Sequence, residues 1–146
     1  MHLNAKEFLQ QIKKLDKIIE NTMAEVERWK EIANNTTVNM SGERVQSSGN
    51  HDTIARAICT YMDLEVENKK HIAELVEIRR DIISVIEQLD ATEYDLLHKI
   101  YVQDFTLQEV ASLYDRRYEW ATTTQGRALK NVQIILNKRE RNENGT

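Results

Sequence analysis

Phe8, Ile12, Leu15, Ile19, Thr22, Val26, Trp29 and Ala33 follow one another at alternating intervals of four and three residues. This spacing returns every member to one side of an α-helix, whereas on a strand it would scatter them over both faces. Only Thr22 is polar, and Ile18, Met23 and Ile32 widen the apolar face, which suggests more than one helical neighbour. The 146 residues contain no proline and four glycines, so little in the composition interrupts long helices. An all-α protein is therefore expected, beginning with a helix over about 4–33 with Asn4 as its N-cap.

Residues 34–52, NNTTVNMSGERVQSSGNHD, have no helical period and read as a long polar loop. A second helix is expected over 53–89, with Ile54, Ile58, Tyr61, Ile72, Leu75, Ile82, Ile86 and Leu89 on one seam, interrupted by Glu65, Asn68 and Arg79. Polar seam residues commonly fix register or oligomeric state at a cost in stability. Residues 1–89 are thus a long amphipathic arm, paired either as an antiparallel hairpin or as an intermolecular coiled coil. In either case its broad apolar faces need cover.

A different rhythm follows in LDATEYDLLHKIYVQDF, where Thr92 is a candidate N-cap for a shorter helix that turns Tyr94, Leu97, Ile100 and Tyr101 inward. Next comes TLQEVASLYDRRYEWATTTQGRAL, residues 106–129. Thr106 and Glu109 have capping-box spacing. Leu107, Val110, Ala111 and Leu113 form a short apolar face, and Ala111 is small where two helices would approach closely. Tyr114, Asp115 and Arg116 supply a turn. In the helix after it Ala121, Thr124, Ala128, Leu129, Val132 and Leu136 face inward, leaving Tyr118, Glu119, Thr122 and Thr123 outward. Residues 90–137 are therefore read as a small helix-turn-helix domain, with 138–146 as a basic, polar tail.

These residues resemble region four of bacterial sigma-70 factors, and more closely a group of small phage and prophage regulators of the ArpU/RinA late-gene type. The shared features are the IYV lead-in, TLQEVA, Trp120 early in the second helix and GRAL at 126–129. The resemblance implies sequence-specific binding of double-stranded DNA in transcription control. It departs at Arg117, where Ser or Thr is usual as the cap; Asp115 is then the candidate cap from just upstream, and Arg116 and Arg117 become phosphate contacts. It departs again at Thr122, Thr123 and Gln125, where relatives often carry Arg, Gln or His. Three successive threonines cost about 1.5 kcal/mol of helix propensity relative to alanine, yet each offers a hydroxyl and a methyl to a base edge.

The net charge of −4 argues against indiscriminate polyanion binding, but its distribution is uneven. Residues 1–89 hold 12 Lys/Arg against 15 Asp/Glu, whereas 126–141 hold Arg127, Lys130, Lys138, Arg139 and Arg141 against Glu140 alone. The candidate DNA-binding residues are Arg116, Arg117, Tyr118, Glu119, Thr122, Thr123, Arg127 and Lys130, with Lys99 as an additional phosphate contact. Neutralising roughly 3 to 5 phosphates is too little for tight binding by one copy. A homodimer through the N-terminal helices, or a second anchor such as polymerase, is expected to supply the rest. The alternative is a module that binds polymerase, a sigma factor or another host protein through the same scaffold.

Catalysis is not expected. The pairs His51-Asp52, His71/Glu74 and Asp95/His98 read as solvated groups, the sequence contains no Cys/His ligand cluster, P-loop or nucleophile motif, and no metal or cofactor is expected. Cys59 is the sole cysteine, and no apolar run approaches the roughly 20 residues of a membrane span, so a cytoplasmic protein is expected.

Overall fold

The computed structural model describes residues 3–40 and 47–145, with backbone alone for 36–40 and 47–50. The architecture is all-α: α1 (Ala5–Met40), α2 (Ser47–Ile86), α3 (Ala91–Leu97), a π-helical turn (His98–Val102), α4 (Leu107–Leu113) and α5 (Tyr118–Asn144). Both long helices run into the stretch expected to be loop. Asn, Ser and Thr lower helix propensity by only fractions of a kcal/mol each, and extending an existing helix costs far less than nucleating one. The centre of that expected loop, 41–46, lies outside the described residues.

The chain divides into two compact units, Leu15–Glu74 and Met1–Lys14 with Leu75–Thr146. The first is an antiparallel helical hairpin within one chain. Ile19 of α1 meets Asn68 of α2, while Lys30 meets Tyr61 and Glu65, so α2 recedes as α1 advances. Leu15, Val26 and Ala33 of the predicted seam are buried, as are Ala57 and Asn68 of α2, whereas Met23 (57% exposed) and Ile72 (45% exposed) face outward. Asn68 is buried with its Nδ2 donating weakly to the Ile19 carbonyl at 3.5 Å, and its Oδ1 has no partner among the described residues. Such a group ties one register at a cost in stability, because a slipped pairing would leave its amide without even that acceptor.

The second unit contains the predicted helix-turn-helix, but its core also draws on both long helices. Leu9 and Ile12 of α1 and Ile82, Val85 and Ile86 of α2 are fully buried with Leu96, Leu97, Val110 and Val132. The expected boundary at residue 89 is thus crossed by the core itself. Two seven-residue helices and one face of α5 carry too little apolar surface to fold alone, and the ends of the long helices complete it. The expected 138–146 tail is likewise mostly helical: α5 continues to Asn144, and Arg139 pairs with Asp81 at 2.9 Å.

Candidate nucleic-acid interface

Asp90, not Thr92, is the N-cap of α3, its carboxylate accepting from the Glu93 N–H at 2.8 Å. Starting the helix at Ala91 places Leu96 beside Leu97 in the core, and the single π turn carries Ile100 and Tyr101 inward after them. Thr106 and Glu109 form the predicted capping box. Ala111 is fully buried, as close helix approach requires, but Leu113 is 61% exposed. Tyr114, four residues beyond Val110, takes the inward position instead, and Leu113 falls on the far side of the helix from Ala111.

The turn between α4 and α5 is a Schellman ending. The Asp115 N–H donates to the Ser112 carbonyl at 3.1 Å and the Arg116 N–H to the Ala111 carbonyl at 2.8 Å, while Asp115 adopts φ 54°. Aspartate tolerates this left-handed conformation better than most residues. Asp115 therefore terminates α4 rather than capping α5, whose N-cap, Arg117, makes no side-chain capping bond.

A relay of contacts holds this turn to α3. The Asp95 carboxylate accepts from the Lys99 ammonium at 2.5 Å and from the Tyr114 hydroxyl. The Tyr114 ring packs on Trp120 at 5.0 Å between centroids, and the Arg116 guanidinium lies 5.7 Å over the Trp120 ring. Lys99 is thereby committed to Asp95 rather than offered to phosphate. Burial opposes ionisation of Asp95, but the hydrogen bonds from Lys99 and Tyr114 outweigh it and hold the carboxyl below its usual range. Burial, and then the Asp95 carboxylate, push the Tyr114 phenol up to about 12.

With its pKa raised, Tyr114 contributes stability that is complete below the unfolded value of ~10 and lost as pH rises through about 12. The depressed Asp95 contributes above an unfolded value of ~3.9 and loses that contribution as pH falls through its folded value. In a tyrosinate titration, one step at about 12 should vanish in Tyr114→Phe. An unchanged titration in that variant would contradict the Tyr114–Asp95 bond.

Along α5, Ala121, Thr124, Ala128 and Val132 are buried, with Leu129 and Leu136 at the margins of that face. The three threonines divide accordingly. Thr124 is a core residue; Thr122 is half-buried and its hydroxyl donates to the Glu119 carbonyl at 2.9 Å; Thr123 is exposed. Glu119, Thr123, Gly126 and Lys130, spaced four, three and four, form an outward row, with the exposed Tyr118 at the head of the helix. A Cβ built on Gly126 would meet nothing within 4 Å.

Arg127 has a partner within the fold. Its Nε donates to Glu93 at 3.2 Å, and Asn131 Nδ2 donates to the other Glu93 oxygen at 2.7 Å. The Glu93 side chain is 4% exposed and that of Arg127 56%, so this pair ties α3 to α5. Of the predicted cations, Arg116, Arg117 and Lys130 form no ion pair with the described residues. Arg116, Arg117, Asp115, Glu119 and Trp120 line an open cleft at the start of α5. Glu93 and Asn131 escaped sequence reading, because a carboxylate 34 residues from its arginine leaves no local spacing signal.

His71 lies 4.0 Å from Glu74, His98 Nδ1 contacts Gln103 at 2.8 Å, and no group of three or more potential metal ligands occurs among the described residues. Among those residues no helix is long and apolar enough to cross a membrane. Comparisons of the chain with protein-family models, with curated proteins and with solved structures find no match.

Proposed function

We propose that the chain is a sequence-specific DNA-binding transcriptional regulator of phage or prophage genes, reading duplex DNA with the outward face of α5. It acts as two copies, with RNA polymerase as a further partner. The observation that carries this reading is Gly126. A glycine inside a helix costs about 1 kcal/mol relative to alanine, and nothing among the described residues approaches Gly126 closely enough to need the missing side chain. A close external surface gives that gap a use, and a base edge or sugar reaching the α5 backbone is such a surface. Thr123 is the base-reading hydroxyl, and Thr122 offers its methyl. Lys130, Arg116 and Arg117 meet phosphates, joined by the N–H groups at the start of α5, which lack a side-chain cap. The similarity of residues 89–136 to sigma-region-four-like regulators supports the regulatory role.

Selection of binding sites from random duplexes tests the division of labour. Thr123→Ala should change the preferred sequence, whereas Lys130→Ala should weaken all sequences alike and flatten the salt dependence by about one unit. A change of preference from Lys130→Ala alone would show that the helix faces are assigned wrongly. The second reading, a module that binds polymerase, a sigma factor or a host protein, draws on the exposure of Leu113 and Tyr118 beside the same turn. It predicts no salt-sensitive duplex binding by the purified chain.

A further inference from the structure

The outer side of α2 carries a second seam that the hairpin does not use. Ala55, Cys59, Met62, Val66, Lys69 and Ala73 recur at intervals of four and three, and every one of them is exposed, Met62 by 55% and Val66 by 56%. At 100° per residue, the seam lies roughly 150° around α2 from the side where Ala57 and Asn68 are buried against α1. A 4–3 repeat, apolar except at Lys69, on the free side of a helix already paired on the other is the pattern of a second coiled-coil contact.

We infer that this seam pairs antiparallel with the same seam of a second copy, about a two-fold axis near residue 67. The flanking charges select the arrangement. Asp63 and Lys70 occupy successive equivalent flanks, and with the axis near 67 each Asp63 faces Lys70 of the other copy, twice by symmetry. Met62 then packs over the small Ala73, and Val66 over the aliphatic stem of Lys69, whose ammonium reaches water. Sliding one way by a heptad would set Asp63 against Asp63, and sliding the other way Lys70 against Lys70. A parallel pairing would stack Lys69 on Lys69 inside the seam. Only the antiparallel, axis-at-67 register avoids all three.

This inference rests on the two-copy reading above and adds its face and register; oxidative cross-linking in a Cys59→Ser background tests it separately. Met62→Cys and Ala73→Cys together should yield a disulfide-linked dimer, since each 62 lies opposite 73. Either variant alone should remain uncrosslinked, because copies of one residue are then about 16 Å apart along the axis. Val66→Glu should raise the dimer dissociation constant ~100-fold, seen by light scattering, with helical content unchanged. Wild-type chain that is monomeric at tens of micromolar, an order-of-magnitude range for weak helical dimers, would overturn both this inference and the two-copy reading. A wild-type dimer whose double-cysteine variant does not cross-link, or whose Met62→Cys variant cross-links alone, would overturn this seam and leave the two-copy reading standing.

Discussion

Arg127→Ala should destabilise the fold more than Glu93→Ala does, although Arg127 is the more exposed partner of the pair. Removing the arginine strands a carboxylate that is 4% exposed, with Asn131 as its remaining side-chain donor, whereas removing the glutamate leaves a guanidinium already 56% exposed and able to reach water. Breaking a buried pair by deleting the partner of the buried charge costs roughly 3–5 kcal/mol, and the retained Asn131 bond places the expected loss near the lower figure. Loss of the charge-assisted hydrogen bonds in Glu93→Ala should cost about 2 kcal/mol. Thermal unfolding reads both, at roughly 2–4 °C per kcal/mol for a chain of this size. A neutral Arg127→Ala would contradict the structural role and return Arg127 to the set of phosphate contacts that its sequence position suggests.

Gly126→Ala should separate stability from recognition. With nothing within 4 Å of the added methyl, the variant gains helix propensity and should be about 1 kcal/mol more stable. The same methyl stands in the middle of the row that the proposed function sets against DNA, and a clash there should weaken duplex binding about tenfold, equivalent to ~1.4 kcal/mol. Gly126→Leu should carry the binding loss further with little change in stability. Equal duplex affinity for wild type and both variants would show that DNA does not approach this face.

The contrast between these two residues indicates what the sequence makes legible. Tyr118, Glu119 and Thr123 are placed outward by helical period alone, and the buried Ala121, Thr124, Ala128 and Val132 follow from that period. The capping box at Thr106 and Glu109 and the paired seam of α1 are equally local signals. The Arg127–Glu93 pair is not legible because the two residues lie on different helices. Asp115 was misread because a left-handed aspartate ending one helix and an aspartate capping the next occupy the same place in sequence. Leu113 and Tyr114 exchanged roles through a one-residue shift at the end of a helix only seven residues long, where the period has too few turns to define a face. The boundary at 89 failed for a related reason: periodicity locates a helix but does not say which core each end joins.

The structure also revises the electrostatic expectation. With Lys99 held by Asp95 and Arg127 by Glu93, Arg116, Arg117 and Lys130 remain as the predicted phosphate contacts of one copy. Three neutralised phosphates correspond to a salt slope of about −2.7 per copy. Weak binding by one copy follows, and it is this weakness that makes a second copy or polymerase necessary to the proposed function.

Affinity for duplex DNA containing the chain's own upstream region, measured beside a random duplex over a salt series, tests the central claim most directly. A one-copy contact should lose about 40-fold in affinity between roughly 50 and 200 mM salt, and a two-copy contact with doubled slope correspondingly more, with the upstream duplex preferred. Absence of salt-sensitive binding to either duplex would contradict the claim that α5 reads DNA.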